Sequence, residues 1–270
     1  MNGTGTSKVV LVTGASSGLG RAIARRLVKA GHRVYGTSRR PEAQADEGFV
    51  LLRMDLLDDA TVNAAVAQVL QNEGRIDVVV NNAGRGIQGA LEDLTPEQAM
   101  AIYDLNLVGL HRVCRAVLPG MRERRRGLII NISSIASNFG LPYRGLYSVT
   151  KAGVDRYTEA LRIELAPFQV RVVSMQPGEF ATNVDSARIK PEKVSDAYRA
   201  RYERAMELLG SSLHYSRDPN EFAEVVAKVI AKERPRPLYR VAKGVQRLSV
   251  LLKFLLPGRL FEGLLAKHYE

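Results

Sequence analysis

The stretch GLYSVTKAG, residues 145–153, places a phenol and an ammonium group four positions apart, as Tyr147 and Lys151. In a helix this spacing brings both side chains to one face. A phenol has a reference pKa of about 10, and a neighbouring positive charge stabilises phenolate, so such a tyrosine can serve as an acid or a base. The alternative is structural, a half-buried tyrosine beside a solvated lysine. The pair alone does not decide between the two.

A glycine-rich turn follows the first apolar run of the chain. KVVLVTG is typical of a buried strand, and it continues through TGASSGLG, with Gly14, Gly18 and Gly20, into a helix predicted at 19–30. Glycines here allow a tight turn and the close approach of a pyrophosphate, whose charge suits the N–H groups of a helix N-terminus. The alternative is a turn that binds nothing. Its position at the start of an alternating pattern favours binding.

The remaining chain alternates short apolar runs with amphipathic segments. Strands are predicted at 8–14, 33–38, 49–55, 76–84, 127–134, 170–178 and 237–244, and helices at 58–73, 96–118, 147–165, 203–209 and 221–232. Thr95 should cap the third of these helices, and Pro119-Gly120 should break it. Only residues 40–48 separate strands two and three, which leaves room for one helical turn at most. The pattern predicts an α/β fold, a single Rossmann-type doubly wound parallel sheet of about seven strands with helices on both faces.

Further motifs follow in a defined order along the chain. NNAG occupies Asn81–Gly84 at the end of strand four, Asn106 lies in the next helix, and Ser134 stands thirteen residues before Tyr147. The chain also has the glycine motif T-G-x3-G-x-G, the Tyr-x3-Lys pair that ends at Lys151, and a P-G motif after strand six. Through these motifs it resembles the classical short-chain dehydrogenase/reductase family along nearly its whole length. The order of the motifs, the short second crossover and the apolar tail are similar to those of one branch of this family. That branch contains the steroid and retinol dehydrogenases that are 17-beta-hydroxysteroid dehydrogenase-like.

The resemblance implies a role for each catalytic residue. Tyr147 would exchange a proton with the substrate oxygen while hydride passes to or from a nicotinamide. Lys151 would stabilise the phenolate and hydrogen-bond the nicotinamide ribose, Ser134 would hold the substrate oxygen, and Asn106 would support a water-linked proton relay. A hydroxyl and a phenol directed at one oxygen can stabilise the charge that develops as a carbonyl is reduced. Ser133 is the alternative serine, one residue too far from the tyrosine for the family spacing.

The end of strand two indicates which nicotinamide cofactor binds. An acidic residue there would accept hydrogen bonds from a ribose 2′-OH, whereas arginine favours a 2′-phosphate. This chain has Ser38, Arg39 and Arg40, with no acid before Glu42, so we expect NADP(H). The alternative is a solvated strand end with two arginines.

By resemblance, Asp55 should contact the adenine amine and Thr182 the nicotinamide end of the cofactor. The complete set expected to contact the cofactor is Gly14, Ser16, Ser17, Gly18, Leu19, Gly20, Ser38, Arg39, Arg40, Asp55, Leu56, Asn82, Ala83, Gly84, Tyr147, Lys151, Pro177, Gly178 and Thr182.

Composition narrows the class of protein. The 270 residues carry 39 Lys+Arg against 28 Asp+Glu, a net charge of +11, but no zinc-ligand spacing and no aromatic RNA-binding motif, so we expect neither a metal site nor a nucleic-acid partner.

The single cysteine, Cys114, fits buried packing and a reducing compartment. No secretory signal or run of membrane-spanning length is present, which predicts a cytoplasmic protein, peripheral at a membrane surface at most. We also expect a homodimer or homotetramer.

Two regions bear on the substrate. We expect residues 1–245 to form one catalytic domain with a lid at about 183–215, followed by an apolar tail at 246–270. The lid and the loop after Ser134 contain these bulky residues: Leu141, Pro142, Tyr143, Ile189, Tyr198, Tyr202, Met206 and Leu208. They predict a mainly apolar pocket for a carbonyl or secondary alcohol, and an aliphatic or aromatic ketone stays open as the substrate. The tail has two apolar segments, 248–256 and 260–265, that meet at Pro257-Gly258. Packing on the domain is the favoured interpretation, and insertion into a membrane interface is the alternative.

Two further functions remain as alternatives to an enzyme. A non-catalytic NADP-binding regulator would keep the fold, although the intact set of four catalytic residues argues against it. A membrane-surface scaffold is suggested only by the tail.

Overall fold

The computed structural model describes residues 7–41, 47–181, 188–214 and 216–269, and only the backbone of 212–214. Its strands are β1 Val9–Val12, β2 Arg33–Ser38, β3 Val50–Arg53, β4 Val78–Asn81, β5 Gly127–Ile132, β6 Val170–Pro177 and β7 Leu238–Val241. Its α-helices are α1 Gly18–Lys29, α2 Asp59–Glu73, α3 Pro96–Tyr103, α4 Gly109–Glu123, α5 Gly145–Leu165, α6 Arg199–His214, α7 Pro219–Ala231, α8 Gly244–Leu255 and α9 Gly258–Tyr269. These elements confirm the predicted α/β class.

The seven strands form one sheet in the order β3-β2-β1-β4-β5-β6-β7, and every pair is parallel. Successive residues of β1 point to opposite faces: Val9 and Leu11 pack with α2, α4 and α5, whereas Val10 and Val12 pack with α1 and α7. Because both faces are covered, the strands are continuously apolar, as expected of a parallel sheet. The strand order reverses between β1 and β4, and a doubly wound sheet binds its ligands at such a switch point.

Local capping chemistry sets the ends of two helices, and the cap predicted at Thr95 is confirmed. Thr95 accepts a hydrogen bond from the Gln98 N–H at 3.2 Å, and the Gln98 side chain accepts one from the Thr95 N–H at 3.1 Å, so a capping box begins α3 with Pro96 in its first turn. Gly74 ends α2 with a φ of +70°, a left-handed conformation that glycine adopts without strain.

The helix predicted to break at Pro119-Gly120 continues to Glu123, so this prediction was wrong. Val117 and Met121, on either side of the proline, are buried against the sheet. Pro119 and Arg115 are exposed, and the missing N–H would have bonded the Arg115 carbonyl, which water can reach on that side. Packing of the apolar face therefore outweighs the local cost of the proline. The same segment is interrupted earlier, at Asp104–Val108, by a π-helical stretch.

The tail forms two helices, α8 and α9, that separate at Pro257, where the sequence predicts the break. Val250 and Phe261 are buried, and the Phe261 ring lies 5.2 Å from that of Phe139. One side of the tail thus packs on the domain. The short second crossover, by contrast, falls largely at 42–46, outside the described residues, and the lid residues 183–187 and Tyr215 lie outside them as well.

Candidate active site

A cleft of about 1080 Å³ runs along the carboxyl ends of the strands. It is lined by Gly14, Ser16, Ser17, Gly18, Leu19, Thr37, Ser38, Arg39, Arg40, Pro41, Arg53, Met54, Asp55, Leu56, Asn82, Ala83, Gly84, Arg85, Gly86, Ile87, Leu105, Ile132, Ser133, Arg144, Tyr147, Lys151, Pro177 and Arg188. A second hollow, between α2 and α4, is only about 100 Å³. The large cleft therefore brings together most of the residues predicted for the cofactor and the catalytic tyrosine and lysine.

Hydrogen bonds between the ends of β1 and β4 hold the floor of the cleft. The Thr13 hydroxyl accepts from the N–H groups of Asn82 and Ala83, each at 3.0 Å. The Asn82 amide donates back to the carbonyls of Thr13 and Gly14, at 3.0 and 3.3 Å. Two loops that are far apart in sequence are thereby fixed to each other at the switch point. Thr13 was absent from the predicted site, although its place in the T-G motif was a usable signal.

The glycine turn has the geometry of an anion cradle. Gly14 and Gly18 have φ values of +67° and +53°, and a Cβ on Gly20 would collide with the Gly14 carbonyl. Ser17 begins α1 without a side-chain cap, and the first turn of the helix contains no acidic residue. The N–H groups at this helix end therefore face the cleft with no carboxylate competing for them.

The phosphate-binding residues predicted after β2 line one end of the cleft. The Ser38 hydroxyl accepts from the Arg40 N–H at 3.3 Å, and this bond shapes the turn that presents both arginines. Neither Arg39 nor Arg40 forms an ion pair with another described residue. Asp55, two residues after the end of β3, accepts from the Leu57 N–H at 3.0 Å, which orients its carboxylate beside this end of the cleft.

At the opposite end of the cleft, Tyr147 and Lys151 lie on one face of α5. The Lys151 Nζ lies 5.9 Å from the centre of the tyrosine ring and donates to the Ile132 carbonyl at 2.9 Å. Only 6% of Lys151 is exposed, and the Ile132 carbonyl fixes its direction. A Cβ on Gly84 would stand 3.6 Å from this Nζ, so the small residue leaves the ammonium group accessible from the cleft.

The two candidate serines differ in what their hydroxyls do. Ser133 donates to the Lys151 carbonyl at 3.0 Å, so its proton is already used to tie β5 to α5. Ser134 accepts from the Ala136 N–H at 3.1 Å, and its hydroxyl proton has no acceptor among the described residues. Ser133 is among the residues that line the cleft, and Ser134, the next residue along the chain, is not. The hydrogen bonding thus favours Ser134 as the donor to a substrate.

Asn106 does not line the cleft but clamps a loop that does. Its Oδ1 accepts from the Arg85 N–H at 2.8 Å, and its Nδ2 donates to the Arg85 carbonyl at 2.9 Å and to Thr150 Oγ1 at 3.2 Å. The side chain is 2% exposed and sits in the π-helical stretch. Its amide is therefore occupied in holding the loop after β4 against α5, which positions both Gly84 and Lys151.

Aromatic, apolar and cationic side chains come together next to the Tyr147 end of the cleft. Tyr143 and Tyr202 make an edge-to-face contact at 5.8 Å, and Ile189 pairs with Ile87 through a parallel bridge. Tyr143 has a φ of +59°, an unusual conformation for a tyrosine, and its carbonyl accepts from the Gly89 N–H at 2.9 Å. Tyr202 of α6 thus contacts the loop before α5, and Ile189 contacts the loop after β4, whereas the lid itself stays a prediction.

Three arginines on this side were missed by the sequence analysis. Arg85, Arg144 and Arg188 come from three separate segments, and Arg144 lies 5.5 Å from the centre of the Tyr147 ring. No local pattern marks them, because only the fold brings them to one rim.

Two of the predicted cofactor residues, Gly20 and Gly178, do not line the cleft but lie behind it. Gly20 and Gly178 are required by packing: Gly178 allows the Gln246 side chain of α8 to approach the end of β6. Thr182 lies outside the described residues, so its predicted contact stays a prediction. Cys114 is fully buried, and burial raises the pKa of its thiol to about 12, which fits the packing role expected for it.

Comparison with known proteins identifies the class. The family model for short chain dehydrogenase matches residues 8–193, which is more than half of the chain, and the chain belongs to this family of oxidoreductases. A 3-ketodihydrosphingosine reductase from Bacteroides thetaiotaomicron is 37% identical over 264 residues, which cover 97% of this chain and 98% of that protein. The resemblance inferred from the motifs is confirmed at the level of the family.

Solved structures agree with the fold. A short-chain dehydrogenase from Streptomyces avermitilis superposes with a TM-score of 0.83 at 35% identity, covering 93% of each chain. A variant of actinorhodin polyketide ketoreductase, solved with NADPH, gives a TM-score of 0.76 at 34% identity and covers 89% of this chain and 97% of its own. None of these three proteins is named as a steroid or retinol dehydrogenase, so the assignment to that branch stays a prediction. Within the described ranges, none of the helices combines the length and the apolar character needed to cross a bilayer.

Proposed function

We propose that this protein is an NADP(H)-dependent carbonyl reductase or alcohol dehydrogenase that acts on a mainly apolar substrate. The observation that carries the proposal is one continuous cleft with a pair of arginines at one end and the Tyr147–Lys151 pair at the other. A non-catalytic regulator or a surface scaffold would need neither the half-buried tyrosine at the cleft nor the buried lysine beside it.

The residues along the cleft fit the cofactor. Arg39 and Arg40 would hold the 2′-phosphate, Asp55 would contact the adenine, and the uncapped N-terminus of α1 would receive the pyrophosphate. Lys151 keeps two N–H donors beyond the one given to Ile132, and these would hold the nicotinamide ribose. When bound, NADPH supplies the hydride for the carbonyl carbon.

The proton would come from this chain. The Tyr147 hydroxyl would donate to the carbonyl oxygen as that oxygen gains charge, and the Ser134 hydroxyl would donate a second hydrogen bond to the same oxygen. The fixed ammonium group of Lys151 would stabilise the phenolate that remains. In the reverse direction the phenolate would take the proton from an alcohol.

The substrate side supports a ketone on an apolar chain. Tyr143 contacts Tyr202 and Ile87 pairs with Ile189, and these residues would form an apolar wall for the substrate. The relatives named as reductases of keto compounds support this class of substrate. The arginines at the rim would tolerate a polar or anionic group at the far end of the same substrate.

Asn106→Ala should lower both stability and turnover. The change removes two bonds to the Arg85 backbone from a buried site, so we expect a loss of about 1–3 kcal/mol in the free energy of unfolding. Turnover should fall because the loop that carries Gly84 would no longer be held beside Lys151. Denaturant unfolding and steady-state kinetics measure the two effects. The exposed Asn63→Ala serves as control and should stay within about 0.5 kcal/mol of the parent; an Asn106 variant as stable and active as this control would contradict the clamp.

The experiment that tests the proposed function is oxidation of NADPH with a panel of carbonyl compounds. The panel should contain ketones on long alkyl or acyl chains, a steroid ketone, and small aliphatic and aromatic ketones. We expect turnover with at least one ketone on an apolar chain, and more slowly with NADH. Tight binding of NADPH without turnover of any member would favour the non-catalytic regulator instead.

A further inference from the structure

The outer side of the tail is the most apolar exposed surface of the described residues. The described residues include fourteen exposed large apolar side chains, and seven of these lie within positions 245–264. We call this surface the tail face, and it consists of Val245, Leu248, Leu251, Phe254, Leu255, Leu260 and Leu264. Scattered exposed apolar residues need no explanation, but a cluster of this size indicates a binding surface.

The tail face follows from helix geometry. Val245, Leu248, Leu251 and Leu255 are three, three and four residues apart, a spacing that places them in one stripe along α8. Val250 lies on the opposite side of the same helix and is buried, and Phe261 anchors α9 in the same way. The tail is thus fixed to the domain by one side, which holds the apolar stripe outward.

Cations border the tail face. Arg247, Lys253, Arg259 and Lys267 lie among the apolar residues, and Glu262 is the one acidic residue in the described stretch 243–269. Lys253 is half-buried and packs over the Phe261 ring at 5.2 Å, which fixes the position of this cation on the tail. The chain as a whole has a net charge of +11. The partner of this surface should therefore offer both apolar depth and negative charge.

We propose that the tail face binds the surface of an anionic lipid bilayer. The apolar stripe would enter the boundary between headgroups and acyl chains, and the bordering cations would contact the headgroups. A second copy of this chain is a poorer occupant, because a symmetric contact would bring two positively charged tails together. The two helices lie on the surface rather than cross it, in keeping with their length.

The position of the tail links this surface to the cleft. Helix α8 packs against the 3-10 helix at Ile135–Ser137, directly after Ser134, and α9 packs against α6, which lies within the predicted lid. A bilayer on the tail face would lie next to the substrate side of the cleft. An apolar substrate dissolved in the bilayer would then reach the lid without passing through water.

The test is sedimentation of the full chain with vesicles. We expect binding to vesicles of phosphatidylcholine mixed with phosphatidylserine, little binding to phosphatidylcholine alone, and weaker binding as salt is raised. Leu251→Ser/Leu255→Ser should lower the partition coefficient by about 10-fold or more, because it removes two exposed apolar side chains from the stripe. Arg247→Glu/Arg259→Glu should lower binding to the anionic vesicles through charge alone.

Matched controls keep the result interpretable. Met100 and Ile163 are apolar residues outside the tail with exposed fractions comparable to those of Leu251 and Leu255, so the Met100→Ser/Ile163→Ser variant should bind vesicles like the parent. Thermal unfolding and NADPH affinity should be unchanged in all three variants, and neither measurement depends on finding the substrate. Failure of the parent to bind anionic vesicles would overturn the proposal. Binding of the Leu251→Ser/Leu255→Ser variant at the level of the parent would also overturn the proposal. A change only in the oligomeric state of that variant, measured by ultracentrifugation, would overturn it as well.

Discussion

Replacing Tyr147 by phenylalanine should lower turnover by about 100-fold or more while leaving NADPH binding intact. The substitution keeps the ring that lies near Arg144 and Lys151 but removes the hydroxyl that would exchange the proton. Loss of the proton donor acts on the chemical step, so kcat should carry most of the effect. Steady-state kinetics with any ketone that the parent reduces gives the ratio, and fluorescence titration gives the affinity for NADPH.

The matched control for this variant is Tyr157→Phe. Tyr157 lies on the same helix, and its hydroxyl contacts His111 Nδ1 at 3.0 Å instead of facing the cleft. Burial raises the pKa of the Tyr157 phenol, in keeping with a structural role. The control should lose little turnover. If the Tyr147 variant kept the activity of the control, the acid–base role proposed for Tyr147 would have to be abandoned.

Replacing Arg39 and Arg40 together by alanine should weaken NADPH binding by about 1.5–3 kcal/mol, the range for hydrogen bonds to charged groups. This corresponds to roughly a 10- to 150-fold rise in Kd. NADH lacks the 2′-phosphate, so its affinity should change little. Titration of both cofactors into the same variant separates recognition of the phosphate from any general effect.

A control for the loss of two positive charges is Arg115→Ala/Arg156→Ala. Both residues are exposed and lie outside the cleft, and Arg156 makes only a surface ion pair with Glu159 at 2.8 Å. Its NADPH affinity should match that of the parent. Equal losses of NADPH and NADH in the Arg39/Arg40 variant would show that the arginines support the turn after β2 instead of reading the phosphate.

Local chemistry made much of the fold predictable. Continuous β-branched runs indicated strands buried on both faces, and all seven predicted strands are present in one parallel sheet. Thr95 begins α3 and Gly74 ends α2, as capping rules predict, because a cap depends on residues only a few positions away. The family was predictable for a similar reason, since its motifs are short and occur in a defined order.

Long-range packing made the remainder unpredictable from local patterns. Pro119 stays inside a helix because Val117 and Met121 are held by the core. Whether a proline breaks a helix depends on the energy of packing its flanking residues, which no local pattern contains.

The sequence by itself determined the α/β class, the glycine turn, and the spacing that singles out Ser134, Tyr147 and Lys151, because each of these depends on neighbours along the chain. Only the tertiary structure decided which serine hydroxyl is already engaged and that Asn106 clamps the Arg85 backbone. It also decided that one side of the tail packs while the other faces outward. The physical reason is that hydrogen bonds and burial between distant segments are set by how the layers pack around the sheet, and that arrangement exists only once the whole chain has folded.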